Sequence, residues 1–167
     1  MEIVSVELPQ GLSVGLSGIG VEGNVLTGNL SGIYPAATYR ISGDLTIADG
    51  DTAYLNAGTQ FLFDGEYDFT IYGTLKATGT ESDSIIFDNV GAERWSGFTL
   101  DNASDGTELR YVRVSGITIT WNAIDSTISS GGGMSLTASN PTLTHVTISG
   151  NMAYEGGGMR LHSSNPT

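Results

Sequence analysis

Apolar and polar residues alternate along this chain in short bursts, none long enough to build a helix. In Leu45-Thr46-Ile47, Phe61-Leu62-Phe63, Phe69-Thr70-Ile71, Val112-Arg113-Val114 and Val146-Thr147-Ile148 every second residue is large and apolar. That is the period of a strand with one buried face. Gly, Asn, Asp or Ser separates the bursts, and these residues favour turns over strands. The pattern predicts an all-β protein of short strands, with an inward set of Leu45, Ile47, Phe61, Phe63, Phe69, Ile71, Ile86, Leu100, Val112, Val114, Leu136, Val146 and Ile148. A one-residue slip would turn a strand's whole set outward. Alternation does not choose within the doublet Ile85-Ile86.

The bursts recur. Residues 44–64 align without a gap on residues 68–88, at a spacing of 24, so that Asp44, Thr46, Ile47, Ala53, Phe63 and Asp64 return as Asp68, Thr70, Ile71, Ala77, Phe87 and Asp88. GGGMSLTASNPT, residues 131–142, returns at a spacing of 25 as GGGMRLHSSNPT, residues 156–167. Between these pairs the period loosens. NVGAERWSG (89–97) and TWNAIDSTISS (120–130) read as lengthened connections, because loops absorb added residues cheaply.

A unit of this size cannot bury its apolar face alone. Wound once round an axis, it places equivalent residues on neighbouring parallel strands about 4.8 Å apart. The expected fold is therefore a parallel β-solenoid with one repeat of 24 to 25 residues per coil. A β-sandwich offers short strands too, but no reason for two ungapped repeats at nearly equal spacing. Residues 1–34 do not keep the period and are expected to cap the first coil, since a solenoid end needs a different terminal element. Residues 35–167 would form the coils. As the chain stops inside a repeat, it is expected to be cut from a longer precursor.

Several stretches together carry a resemblance: Tyr39 to Ile47 (YRISGDLTI), Gly73 to Thr80 (GTLKATGT), Ile85 to Phe87, Trp95 to Leu100 (WSGFTL) and the closing GGGM and SNPT pairs. They resemble the coils of right-handed parallel β-helix proteins, pectin-lyase-like in fold, that occur as large secreted or surface-attached bacterial proteins. The GGGM repeats are loosely similar to those of chlamydial polymorphic outer-membrane proteins. The resemblance spans residues 35–167. It implies right-handedness, an extracellular or bacterial cell-surface location, and further coils after Thr167. It implies no single activity, because this scaffold carries enzymes, adhesins and inert spacers alike. The function expected is a non-catalytic structural or adhesive scaffold, the N-terminal part of a larger protein. One alternative is a carbohydrate-active β-helix that binds or cleaves an extracellular polysaccharide mostly through residues outside this chain. The other is a self-assembling fibre component, joined to a second copy through an open final coil.

Charge narrows the partners. Six Lys and Arg against 18 Asp and Glu give a net charge of −12, which repels phosphate backbones and anionic lipid, so nucleic acid is not an expected partner. No run of about 18 apolar residues stands in the chain, and membrane insertion by this segment is not expected. Without cysteine there are neither disulfides nor thiolate metal sites.

The stacked repeat would set Asp44 over Asp68 and Asp64 over Asp88, each pair one strand spacing apart. Three readings of these carboxylates stay open. They form turns by bonding local backbone, they share a Ca²⁺ ion, a hard cation that takes oxygen ligands, or mutual repulsion raises one pKa for general-acid work. Calcium on Asp44, Asp64, Asp68 and Asp88 is the one cofactor the pattern offers. The acidic turns ADGDT (48–52) and DNASDGTE (101–108) fit neither the EF-hand spacing nor the calcium-binding nonapeptide.

No catalytic residue stands out. The Asn-Thr-Asp, Asp-Asp, Gly-His-Gly and Arg-Ile-Lys motifs of polygalacturonases are absent, and Glu108 with Arg110 reads as a surface pair. Trp121, in a lengthened connection, is the candidate for stacking on a sugar ring, whereas Trp95 is expected to pack at the start of a coil. His145 and His162 lack acidic neighbours in sequence and read as exposed. The triple glycines 131–133 and 156–158 are expected where backbones approach closely or φ is positive. Asn140 and Asn165 are expected to bond along the axis.

Overall fold

The computed structural model describes residues 24–91, 94–118, 132–153 and 156–167. Among these residues the protein is all-β, with thirteen strands in one sheet. The strands are β1 (Asn24–Asn29), β2 (Gly32–Tyr34), β3 (Thr38–Ile47), β4 (Thr52–Leu55), β5 (Gln60–Phe63), β6 (Phe69–Ile71), β7 (Thr74–Thr78), β8 (Ile85–Asn89), β9 (Phe98–Asp101), β10 (Glu108–Val114), β11 (Met134–Thr137), β12 (Thr142–Ile148) and β13 (Met159–His162). Every pairing is parallel.

The pairings sort into three ladders, which the chain visits in the same order on each circuit. The first joins the opening halves of β1 and β3 to β5, β8 and the closing halves of β10 and β12. The second runs through the closing halves of β1 and β3 to β6, β9, β11 and β13. The third runs through β2, β4, β7 and the opening halves of β10 and β12. Residues 24–34, within the stretch expected to cap the first coil, already belong to these ladders. Residues 1–23 lie outside the described residues.

Apolar side chains stack in columns between the ladders. Tyr39, Phe61, Phe87 and Val114 follow one another in the first, and Leu45, Phe69, Phe98 and Met134 in the second. Tyr34, Leu55, Ala77 and Leu109 do so in the third. All are buried. The rings interlock edge to face, Phe61 on Phe87 at 5.5 Å and Phe87 on Phe98 at 4.8 Å between centroids, arrangements that add to the area they bury. Trp95 is fully buried, lies flat on Phe63 at 4.1 Å and donates its indole N–H to the Ser115 carbonyl at 2.8 Å.

The expected inward set is buried with three exceptions. Ile85 takes the core position and Ile86 is only half-buried, because β8 pairs Phe87 with Phe61 and Val114 and so sets the parity one residue back. Val146 and Ile148 pack against the core from one side and stay partly exposed.

The ungapped repeat of residues 44–64 holds only in the second ladder, where Leu45 faces Phe69 and Ile47 faces Ile71. Ala53 faces Leu75, not Ala77, and Phe63 faces Asn89, not Phe87. Tyr72-Gly73 replaces the four-residue turn 48–51, and the next connection is longer to compensate. Both changes preserve the in-and-out parity, which is why the alignment looked seamless. Asp64 therefore does not stand over Asp88, which faces Leu62.

Corners use left-handed backbone. Tyr111 and His145, at φ 48 and 54, turn the chain from the third ladder to the first, and Asn102, Ala138 and Ser163, at 49, 46 and 52, turn it from the second to the third. Equivalent corners stack and share hydrogen bonds along the axis. The buried Ser139 hydroxyl accepts from the Ala103 N–H and donates to the Thr137 carbonyl, and Ser164 repeats this beneath the Ser139 N–H. Asn140 Oδ1 likewise accepts from the Asn165 N–H at 2.8 Å. At Gly97, φ is 84 and an added Cβ would stand 2.3 Å from the Gly132 carbonyl oxygen, so only glycine lets these backbones approach.

Candidate functional site

With the core closed by apolar columns, chemistry is left to the outward positions. On the first ladder these are Gln60, Ile86, Arg113 and Thr147, directly across from one another in register. Asp88 lies two residues further along β8, and Ser115 and Ser149 stand just past the ends of β10 and β12. Ile86, Asp88, Arg113, Ser115, Thr147 and Ser149 line an open groove of about 370 Å³. Asp88 Oδ1 accepts from the Asn89 backbone N–H at 2.8 Å.

A stacked pair stands two residues before Arg113 and Thr147 on their strands. The rings of Tyr111 and His145 lie 4.5 Å apart and 8° from parallel, and the Arg110 guanidinium sits 5.4 Å from the Tyr111 centroid. The left-handed corners hold both rings outward, one directly behind the other. Arg110 is thus engaged by Tyr111, while Glu108 faces Lys76 across the third ladder at 3.5 Å. The surface pair expected of Glu108 and Arg110 is replaced by Glu108 and Lys76, because register partners stand about 5 Å apart whereas residues two apart on one strand are about 7 Å apart.

The four aspartates take separate roles. Asp44 and Asp68 are neighbours, and the Asp68 backbone N–H donates to Asp44 Oδ1 at 3.0 Å while the Asp68 carbonyl accepts from Leu45. Asp64 pairs with Arg40. Asp88 stands apart, in the groove. Among the described residues no three His, Cys, Asp or Glu side chains converge on a point that could hold a metal ion. The acidic turns are held by bonds within the turn and to neighbouring circuits: Asn29 Nδ2 donates to Asp51 Oδ2 and Asn140 Nδ2 to Asp105 Oδ1, while Asn102 Nδ2 donates to Asp101 Oδ1 and the Gly106 N–H to the Ser104 hydroxyl.

Trp121 lies outside the described residues. His145 and His162 are both exposed, the first in the stack with Tyr111. On the second ladder Thr46, Thr70, Thr99 and Ser135 form a row of outward hydroxyls that ends at Arg160. Burial raises the phenols of both Tyr34 and Tyr39, and Tyr34 the further. The Tyr34 phenol is pushed up to about 12, with the Ser31 backbone opposing part of the rise. Its hydroxyl meets no partner in hydrogen-bonding geometry among the described residues.

The groove escaped the sequence reading because its members share no repeat. Successive first-ladder partners such as Phe61, Phe87, Val114 and Ile148 stand 26, 27 and 34 residues apart. The available signal was parity, since Arg113 and Thr147 each sit between two inward apolar residues. Comparison with protein-family models, curated proteins and solved structures finds no match for the chain.

Proposed function

We propose that the chain is a right-handed parallel β-helix that serves, outside a bacterial cell or on its surface, as a rigid, non-catalytic scaffold for reach or adhesion. The observation that carries this reading is the use made of the side chains. Inward residues fill continuous columns, and most polar groups with identified partners are spent on bonds between successive circuits. Ser139 to Ser164, Asn140 to Asn165, Arg40 to Asp64 and Lys76 to Glu108 are examples. Such a chain lengthens by about 4.8 Å per circuit without changing its cross-section. Right-handedness agrees with the general rule for crossovers between parallel strands of one sheet. The location rests on the resemblance of Tyr39 to Ile47, Gly73 to Thr80 and Trp95 to Leu100.

The test pairs hydrogen exchange with a panel of extracellular polysaccharides. A scaffold gives ladder amides that exchange together, only through global opening, and releases no reducing or unsaturated ends. Ladders that open separately in the folded protein would remove the rigidity. Depolymerisation lost on Asp88→Asn or Arg113→Gln would make the protein an enzyme.

A second reading, binding of an extracellular polysaccharide, is favoured by the hydroxyl row Thr46, Thr70, Thr99 and Ser135, whose members stand one strand spacing apart. A glycan array with the Thr70→Val, Thr99→Val variant decides it. Hits that persist in the variant place binding elsewhere.

A further inference from the structure

The groove on the first ladder presents opposite charges to solvent with an apolar surface between them. Arg113 is exposed, and the ion pairs among the described residues are Arg40 with Asp64 and Lys76 with Glu108. Arg113 and Asp88 thus share the groove without pairing. Their positions explain this. Ile86 stands directly across from Arg113, and Asp88 follows two residues on, so their Cα atoms lie on a diagonal of about 8 Å. The hydroxyls of Ser115, Thr147 and Ser149 complete the wall on the Arg113 side.

We propose that this groove binds a short peptide by its two free ends, with the carboxylate on Arg113 and the nearby hydroxyls, the ammonium on Asp88, and an apolar side chain against Ile86. Arginine presents a planar fork of donors that matches a carboxylate. Asp88 keeps Oδ2 for an ammonium while Oδ1 holds the Asn89 N–H. A fully extended dipeptide spans at most about 7 Å, so with the Arg113 and Asp88 side chains reaching into the groove its two ends meet the two charges on this diagonal. Net charge supports the choice. A polyanion is repelled at long range by a protein of net charge −12, whereas a zwitterion is neutral and feels only the local pair.

The experiment follows backbone amide shifts during titration with alanyl-leucine, N-acetyl-alanyl-leucine, alanyl-leucinamide and glucuronate. Alanyl-leucine is expected to give saturable shifts at millimolar concentration around residues 113–115 and 147–149. Blocking either end should weaken binding about five-fold, the value of one exposed ion pair of ~1 kcal/mol. Arg113→Gln should erase the preference for a free carboxylate, and Asp88→Asn that for a free amine. The three peptides need no variant, so the test stands even if a substitution disturbs folding. Equal binding of all three, no saturable shift, or tighter binding of glucuronate overturns the proposal. So does a double-mutant cycle without peptide that finds Arg113 and Asp88 already coupled in stability.

Discussion

The close approach of backbones at Gly97 can be separated from its left-handed conformation by three glycine-to-alanine substitutions. Gly150 has φ 67 and open space around its missing Cβ, so Gly150→Ala isolates the conformational cost, about 1–2 kcal/mol. Gly133 is not left-handed, but its Cβ would stand 2.5 Å from the Gly158 carbonyl oxygen and 2.3 Å from Ile148 Cγ2, so Gly133→Ala isolates the crowding. Overpacking of this kind costs about 1–3 kcal/mol. Gly97 combines both, with φ 84 and carbonyl oxygens at 2.3 and 3.1 Å. The obstacle there is backbone held by the Phe98 N–H to Gly133 carbonyl bond, which cannot swing aside like the end of a side chain. The two costs should therefore add, to about 4 kcal/mol. In a domain of this size 1 kcal/mol moves the thermal midpoint by about 2–4 °C, so Gly150→Ala should lower it by about 4 °C and Gly97→Ala by more than about 10 °C. Guanidinium titrations of the three variants, with the slope compared to confirm a common unfolding event, supply the free energies. If Gly97→Ala fell within about 1 kcal/mol of Gly150→Ala, the ladder spacing at this corner would not depend on glycine and the reasoning would fail.

Tyr34→Phe should stabilise the protein by about 1 kcal/mol, since it removes a buried hydroxyl without a partner and leaves the ring packing intact; a loss of stability in denaturant titrations would mean the hydroxyl is bonded. Because the folded pKa is raised from 10.0 to about 12, the wild type keeps this contribution below pH 10 and loses it as pH rises towards 12, while the Phe variant does not. The stability difference between the two should widen over that window, by no more than about 3 kcal/mol for two units. Ser139→Ala should cost about 1–3 kcal/mol, because it strands the buried Ala103 N–H, and Ser139→Thr, which keeps the hydroxyl, should recover part of it if the bond rather than the volume matters. Millimolar Ca²⁺ against EDTA should leave the thermal midpoint unchanged, since Asp44 bonds backbone and Asp64 pairs with Arg40; a rise that Asp64→Asn, Asp88→Asn abolishes would make those aspartates a calcium site.

The core was legible in the sequence because it depends on parity, and parity survives the loss of register. Phe63 and Phe87 both point inward although they are not partners, since the insertions between their circuits are even-numbered. Register was not legible, because it is set by turn lengths that no alternation records: two residues at Tyr72-Gly73 against four at 48–51. Hence the aspartates were paired correctly at Asp44 and Asp68, which lie within the second ladder's true repeat, and wrongly at Asp64 and Asp88, which lie beyond the first compensating change. The SNPT motifs were legible in both respects, because Asn140 and Asn165 stand in circuits joined by connections of equal length.

The same logic explains why the outward surface resists a reading from sequence. An inward residue is constrained by every neighbour in its column, so its type reports its position. An outward residue meets only its two register partners and its strand neighbours, and those partners lie up to 34 residues away at unequal spacings. Arg113 looks like an ordinary charge between Val112 and Val114 until Ile86 is set on one side of it and Thr147 on the other. Only then do Asp88 and three hydroxyls fall within its reach. A functional surface on such a scaffold is written across circuits rather than along the chain. It follows that lengthening one connection by two residues would leave the core parity intact and still dismantle the groove, so that fold and binding can change independently in a protein built this way.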